Sequence, residues 1–282
     1  KAAVMKNILI PTDFSSCANH ATSIGLEIAK KLKANVTFLH LAWTPAEWSK
    51  MPIEREGFFP ETKAAIADAK DSLLQLERRA EKSGVQAETN LVFNSNIQEL
   101  RKYIDEEHYS LVVMGTHGSS GLEKLIGSNT REVINHSPVP VLAVKKQDKP
   151  LPFKKVVIAS DFKEKSQKGF EKILQIALQL GLETEILFVN VPYSFTETEE
   201  IEKMMDFFLL PHQNEQITRK VINARNEERG IQLYMQTNHP SLIATISHGH
   251  SGLGNLFRTS ITENIINHFD LPVLSIRMKE KS

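Results

Sequence analysis

Glycine, serine and threonine residues cluster where an apolar stretch of the sequence gives way to a helical pattern. Residues 111–114 are all apolar, and Gly115 and Gly118 follow at a spacing of three. Gly127 and Ser128 then open a segment with helical periodicity. Glycines let backbone N–H groups approach an anion closely, and the first turn of a helix offers unpaired donors at the positive end of its dipole. This spacing is typical of a phosphate-binding loop; the alternative is a tightly packed strand-to-helix connection that binds nothing.

Asp13, Cys17 and two histidines are the other residues that could carry chemistry. Asp13 follows an apolar stretch, where it would either contact a ligand or close a turn that leads into a helix. Cys17 falls in the first turn of that helix and is either a thiol of lowered pKa or a small packing residue. His248 and His250 alternate like a metal-binding pair, but no suitable third ligand is near in sequence, so we expect no metal. The sequence has no Walker lysine pattern and no nucleophile elbow, and we assign no catalytic residue.

Apolar stretches alternate with helical patterns, which predicts a parallel sheet with right-handed crossovers. In the first half of the chain the predicted strands cover residues 6–11, 36–41, 88–93, 111–115 and 139–145, and the predicted helices cover residues 18–32, 61–83, 97–107 and 130–136. Ligands of such sheets bind beyond the carboxyl ends of the strands, where the strand order reverses. Asp13 and Gly115 both fall at such ends.

The pattern of the first half is repeated in the second. Residues 6–15 are matched by residues 154–163, and residues 130–136 are matched by residues 262–268. Two copies of one domain are therefore predicted, at residues 5–147 and 152–280.

Aligning the two copies locates a difference in length. When Gly84 is aligned with Gly230, the second copy lacks fifteen residues between Asn238 and His239. These residues correspond to the helix predicted at residues 97–107, and a parallel crossover needs about a dozen residues. We therefore expect a mobile segment between Asn238 and His239, which would lie much farther apart than bonded Cα atoms; if they are bonded, the second copy has lost a crossover.

Composition limits the partners and the compartment. The chain of 282 residues has 34 basic and 34 acidic residues, so no global field attracts it to nucleic acid or to an anionic membrane. A single cysteine excludes an internal disulfide, and no apolar run reaches eighteen residues. The reducing cytoplasm is the expected location.

The order of the motifs resembles the universal stress protein family. It comprises Pro11-Thr12-Asp13, Gly115-Thr116-His117-Gly118, Gly127-Ser128 and Pro140-Val141-Leu142, and it occurs twice, as in a tandem two-domain member. The resemblance implies two tandem, doubly wound α/β domains of the Rossmann-like, adenine nucleotide alpha hydrolase-like type. Each would have a five-stranded parallel sheet in the order 3-2-1-4-5 between helices. It also implies bound ATP or AMP, with Mg²⁺ left open, and a dimer or an internal pseudo-dimer through the last strands.

The resemblance also implies a nucleotide site in the first copy. Asp13 would contact the ribose or adenine, the Leu41 backbone would contact the adenine edge, and Gly115 and Gly118 would shape the loop around the phosphates. Eight residues separate Gly118 from Gly127, where the family spacing is nine. The remaining residues of the implied cofactor-binding set are Pro11, Thr12, Met114, His117, Gly127, Ser128, Asn129 and Thr130.

The second copy departs from this pattern. Ile246 stands where the first copy has Gly115, and Thr259 stands where it has Gly127, although Asp161, Gly249 and Ser260 persist. A β-branched residue brings a Cβ and two further carbons to the point of close approach. We expect the second site to be empty or to bind something other than a nucleoside triphosphate, and the second copy to act as a structural partner.

Three hypotheses for the function follow from these features. The first is a cytoplasmic stress-response protein that binds ATP or AMP in its first domain and acts as a nucleotide-dependent regulator. The second is a nucleotide-free interaction scaffold. The third is a slow ATPase that uses Asp13 or a loop histidine as a base. No nucleic acid or membrane partner is expected under any of them, and a homodimer is the further assembly considered.

Overall fold

The computed structural model describes residues 7–45, 47–93, 100, 102–104, 109–117, 126–146, 153–248 and 261–278. The chain divides into two compact units, the first built mainly from residues before 140 and the second mainly from residues after 146. Each unit is an α/β domain with a parallel sheet, as the sequence predicts.

The first copy of the domain has the strand order β3-β2-β1-β4-β5, which confirms the predicted order 3-2-1-4-5. The pairs β1–β2, β2–β3 and β1–β4 are parallel. Its strands are β1 (Asn7–Pro11), β2 (Asn35–Ala42), β3 (Ala87–Phe93), β4 (Leu111–Gly115) and β5 (Val141–Val144), and its helices are α1 (Ser16–Leu32), α2 (Ile53–Glu56), α3 (Pro60–Lys82) and α4 (Ser128–His136). Much of the helix predicted at residues 97–107 lies outside the described residues, of which 100 and 102–104 are helical.

The central strand β1 is buried on both faces, as expected for a parallel strand between helical layers. Ile8, Leu9 and Ile10 have no exposed surface. Helix α1 packs closely against this strand because of Gly25, where an added Cβ would lie 2.5 Å from the Cδ1 atom of Ile10. The helix begins after Ser15, whose hydroxyl accepts the N–H of Ala18.

The second unit repeats the topology with the order β8-β7-β6-β9-β10, and all of these neighbouring strands are parallel. Its strands are β6 (Lys155–Ala159), β7 (Glu183–Asn190), β8 (Ile217–Asn223), β9 (Leu242–His248) and β10 (Val273–Met278), and its helices are α5 (Gln167–Gln179), α6 (Thr198–Leu209), α7 (Glu227–Asn238) and α8 (Ile261–His268).

The expected separation of Asn238 from His239 is wrong. Asn238 is the last residue of α7, and His239 caps that helix by donating its N–H to the carbonyl oxygen of Met235 at 3.1 Å. Helix α7 is itself the crossover from β8 to β9, so the second domain has not lost one.

The shortening falls earlier in the second copy. Val36 and Thr184 pair with Ala87 and Ile217, respectively. Val36 and its counterpart Thr184 are 148 positions apart, whereas Ala87 and its counterpart Ile217 are 130 positions apart. The second copy has therefore lost eighteen residues between its second and third strands. Helix α6 accordingly has 12 residues where α3 has 23.

The alignment failed because Gly84 and Gly230 are not equivalent. Gly84 follows α3 with a positive φ of 76°, a conformation that favours glycine. Gly230 lies inside α7, where an added Cβ would be 2.3 Å from the Cγ1 atom of Val189. One glycine ends a helix, and the other lets a helix approach a strand.

Candidate functional site

The candidate site lies at the carboxyl edge of the first sheet, between β1 and β4. The chain leaves β1 into α1 and leaves β4 toward α4, so the strand order reverses at this point. Points where the strand order reverses are the usual ligand sites of open α/β sheets. The fold brings Thr12, Asp13 and Gly115 to the same edge, as the sequence predicts.

Asp13 holds the turn that follows β1. Its Oδ1 atom accepts the N–H of Ser15 at 3.0 Å, while the Thr12 hydroxyl accepts the N–H of Phe14 at 3.0 Å. Phe14 has a φ of 62°, which is uncommon for a residue with a side chain. The side chain of Asp13 is exposed. It therefore closes a turn, as one of the two alternatives predicts, and it is also accessible to a ligand.

The same turn recurs in the second domain. The Oδ1 atom of Asp161 accepts the N–H of Lys163 at 3.3 Å and the hydroxyl of Ser166. Phe162 has a φ of 47°. The repeated aspartate is thus explained by turn formation in both copies.

His40 is a neighbour of the site that the sequence analysis missed. Its ring lies against the ring of Phe14, with centroids 4.5 Å apart and an interplanar angle of 31°. Its Nδ1 atom is 2.8 Å from the carbonyl oxygen of Thr12, a distance at which an Nδ1–H group donates a hydrogen bond. The sequence signal that could have identified His40 is its position on β2, one residue before the predicted site residue Leu41.

Gly115 is required by the packing of α1. A Cβ at this position would lie 2.9 Å from the Sγ atom of Cys17 and 3.0 Å from its carbonyl carbon. Both distances are shorter than normal contacts with carbon, so a side chain at this position would have to displace Cys17 and the first turn of α1. The packing explains this glycine without a ligand.

Thr116 and His117 continue the chain beyond β4. Thr116 donates its N–H to the carbonyl oxygen of Val144 at 2.9 Å, and its hydroxyl lies 2.7 Å from the Nδ1 atom of His117. The Sγ atom of Cys17 is 3.3 Å from the same Val144 oxygen. Cys17 is buried, and these contacts identify it as a packing residue.

Helix α4 begins at this edge and directs its first turn toward it. Gly127 donates its N–H to the carbonyl oxygen of Thr116 at 2.7 Å, and the Thr130 hydroxyl donates to the carbonyl oxygen of Gly115 at 2.8 Å. These two bonds fix the helix terminus beside the end of β4. Ser128 and Asn129 are exposed there. Gly127 has a φ of −64°, so its backbone conformation alone does not call for glycine.

The remaining predicted residues have various positions. Pro11 is the last residue of β1, Leu41 is half-buried near the end of β2, and Met114 is buried in β4. Gly118 lies outside the described residues, as do most of the residues between it and Gly127, so the predicted loop spacing is not tested.

The corresponding edge of the second domain is built differently. An added Cβ at Gly169 of α5 would lie 3.1 Å from the Cγ2 atom of Ile246. The Sδ atom of Met278 on β10 would be nearer still, at 2.8 Å. The hydroxyls of Thr245 and Thr262 lie 3.0 Å apart and are both buried. Gly249, Thr259 and Ser260 lie outside the described residues.

The helix that follows the fourth strand also differs in charge. The first turn of α4 has no acidic residue, and Arg131 follows Thr130. The first turn of α8 contains Glu263, which follows Thr262. A carboxylate at a helix N-terminus disfavours a second anion there, whereas an arginine favours one. This reversal of charge between Arg131 and Glu263 is visible in the sequence, but the motif comparison did not identify it.

No group of three or more His, Cys, Asp or Glu residues with metal-binding geometry occurs within the described ranges. The same ranges contain no helix long and apolar enough to cross a bilayer.

The fold and the edge between β1 and β4 define a doubly wound α/β protein with two copies of one domain. The family model for universal stress proteins matches residues 5–145 and 152–277. The chain therefore belongs to the universal stress protein family, and it carries the family domain twice. This confirms the resemblance inferred from the motifs.

Individual proteins agree with this assignment. Universal stress protein MJ0531 of Methanocaldococcus jannaschii is 30% identical over 151 residues, covering 51% of this chain and 84% of that protein. MJ0577 of the same organism is 29% identical over 161 residues, covering 52% and 99%. A crystal structure of a universal stress protein from Archaeoglobus fulgidus superposes with a TM-score of 0.76 and covers 97% of this chain and 99% of that one, at 20% identity. That likeness shows a shared fold.

Proposed function

We propose that the first domain binds an adenine nucleotide, ATP or AMP, and that the protein acts in the stress response as a nucleotide-dependent regulator. The observation that carries this proposal is the exposed first turn of α4, held beside the ends of β1 and β4 by the bonds from Gly127 and Thr130. A helix N-terminus at a topological switch point suits a phosphate group. The cytoplasm, expected from the composition, is part of the proposal.

The roles of the residues follow from their positions. The backbone N–H groups of Ser128 and Asn129 and the Ser128 hydroxyl would donate to phosphate oxygens, and Arg131 would add positive charge. Asp13 would meet the ribose or the base from the turn after β1. Mg²⁺ would be held mainly by phosphate oxygens and water.

The second domain would serve as a structural partner of the first. Its edge has Ile246 packed against Gly169 and Glu263 in the first turn of α8. Both features disfavour a phosphate at the position equivalent to the first site. We propose that this copy binds no nucleoside triphosphate.

Isothermal titration of the full chain with ATP, AMP and cAMP, with and without Mg²⁺, tests this function. cAMP is included because a solved universal stress protein structure contains it. We expect Gly127→Val to weaken ATP binding about 10-fold or more, since its side chain would obstruct hydrogen bonds to the phosphates. Arg131→Glu, on an exposed helical position, should weaken ATP binding in the same direction.

Gly57→Val provides the matched control. Gly57 also has a negative φ, of −59°, and it is exposed where Gly127 is half-buried, but it lies in the connection between α2 and α3. This variant should bind ATP like the wild type. Absence of ATP and AMP binding to the wild-type chain would contradict the proposal.

The nucleotide-free scaffold is the second candidate function. It is favoured by the packing at Gly115 and by the turn at Asp13, because both explain site residues without a ligand. The slow ATPase would require turnover that Asp13→Ala abolishes while ATP affinity survives.

A further inference from the structure

Trp43 is an exposed aromatic residue at the same edge of the first domain. It follows the last residue of β2, Ala42, and 73% of its surface is accessible. The only other tryptophan, Trp48, is 7% accessible and packs edge-on against Phe59, with ring centroids 6.3 Å apart. The connection after β2 therefore has an apolar cluster of its own that buries one tryptophan but leaves Trp43 largely exposed.

The exposure of Trp43 is not imposed by the fold. With the offset of 148 residues set by the first two strands of each copy, its counterpart in the second domain is Val191. Val191 also directly follows its strand, and it is 2% accessible. An exposed indole forgoes the burial of a large apolar surface. At this equivalent position only the first domain exposes its side chain, although Tyr193 and Phe195 are exposed further along the connection after β7. The first domain is also the one with the exposed start of α4.

The strand order and register place Trp43 at the end of β2, which β1 separates from β4, the strand that leads to α4. Pro11 of β1 pairs with Leu39 of β2, and the N–H of Thr12 donates to the carbonyl oxygen of Leu39 at 2.8 Å. The order β2-β1-β4 puts β2 two strand spacings, or about 10 Å, from β4. A nucleotide whose phosphates meet the first turn of α4 and whose sugar lies over the end of β1 extends its base toward β2.

We infer that Trp43 stacks on the base of the bound nucleotide. The inference rests on the proposed function and adds to it a residue that binds the base face, which the motif-derived set lacks. Stacking on an indole is tolerant of base identity, so Trp43 would contribute to affinity for purine nucleotides generally. Selection of adenine would then depend on polar groups at the edge of the base.

Two measurements on the full chain test this inference. In the first, titration calorimetry gives the ATP affinity of three single variants. Trp43→Ala should weaken ATP binding about 10-fold, the loss expected for one base–aromatic stack. Trp43→Phe should retain most of the affinity. Phe58→Ala is the matched control, because Phe58 is also exposed in this connection but does not adjoin a strand end, and it should bind ATP like the wild type.

The second measurement uses fluorescence. In Trp48→Phe, Trp43 is the only tryptophan, and saturating ATP should quench its emission. In Trp43→Phe, the emission of Trp48 should change little.

The outcomes separate the two proposals. If the wild type binds ATP while Trp43→Ala binds it equally well, or while Trp43 emission is unchanged, stacking is contradicted and the proposed function stands. Equal loss of affinity in Trp43→Ala and Phe58→Ala would also contradict stacking, because it would indicate a general effect on the connection. If the wild type binds no nucleotide, both proposals fail.

Discussion

At the scale of single residues, Gly115 shows that one glycine can have two different explanations. In the sequence, Gly115 is the first glycine of a pattern that is typical of phosphate-binding loops. In the structure, its missing Cβ makes room for Cys17 in the first turn of α1. Gly127 is different, because its negative φ alone does not demand glycine and it immediately precedes the exposed start of α4. The two glycines can therefore be distinguished by mutation.

Gly115→Ala should destabilise the first domain by about 1–3 kcal/mol, because the added methyl group meets the backbone of Cys17 as well as its sulfur. Urea unfolding followed by tryptophan fluorescence measures this change, since both tryptophans lie in the first domain. Gly57→Ala is the control, because the nearest atom to its added Cβ is 3.8 Å away. A Gly115→Ala protein of normal stability that fails to bind ATP would show that the glycine serves the ligand instead.

The sequence predicted that Asp13 and Gly115 lie at one edge of the sheet, but not what each of them does there. Spacing and strand ends were sufficient to bring Asp13 and Gly115 together. The contact between Gly115 and Cys17 joins residues that are 98 positions apart, and no local pattern reveals it. The paired rings of Phe14 and His40 were missed for the same reason.

At the scale of secondary-structure elements, the crossover helix α7 is fastened to the second sheet by a buried polar group. Glu185 of β7 accepts a hydrogen bond from the Tyr234 hydroxyl at 2.6 Å and pairs with the Lys155 ammonium at 2.8 Å. Burial alone would raise the pKa of Glu185, but the hydrogen bonds from Lys155 and Tyr234 and the nearby positive charges lower it overall. Burial and the bond to Glu185 raise the pKa of Tyr234. The ionised carboxylate is thus the stabilised form.

Glu185→Gln should lower the free energy of unfolding of the second domain by about 2 kcal/mol at pH 7. This is less than the cost of breaking a fully buried pair, because the Lys155 side chain is 21% exposed and water can solvate its ammonium group when the partner is lost. The folded-state pKa of Glu185 lies below its ordinary value of 4.5, so the contribution of the carboxylate is complete above that pH and is lost as the pH falls below it. The difference between variant and wild type should therefore shrink below about pH 4.5.

Far-UV circular dichroism in urea between pH 7 and pH 3 measures this difference, while tryptophan emission records the first domain separately. Glu199→Gln is the control, because Glu199 forms an exposed pair with Lys203 on α6, and it should leave the unfolding curve unchanged. A pH-independent difference for Glu185→Gln would contradict the assignment of the effect to the carboxylate charge.

The elements themselves were largely predictable, and their equivalence between copies was not. Alternating apolar and helical patterns predicted the five strands and the helices α1, α3 and α4 of the first half to within a few residues, because β1 and β4 are apolar throughout and α1 has a regular apolar face. The alignment error arose because Gly84 and Gly230 were matched by residue type. Their different environments, a left-handed helix end and a close contact with Val189, exist only in three dimensions.

At the scale of the whole molecule, the chain contains two copies of one fold with different edges. The first copy has Gly115, Arg131 in the first turn of α4 and an exposed Trp43, and the second has Ile246, Glu263 and a buried Val191 at the matching positions. The sequence predicted the loss of the glycine signature in the second copy. The role of Gly169 was not apparent, because it depends on contacts of α5 with both β9 and β10.

The number of nucleotides bound per chain distinguishes one competent sheet edge from two or from none. Native mass spectrometry of the full chain with saturating ATP should show one nucleotide per polypeptide, and the Gly127→Val chain should need an ATP concentration at least about 10-fold higher to reach the same occupancy. Two nucleotides per wild-type chain would contradict the difference between the two edges. A wild-type chain with none would contradict nucleotide binding itself.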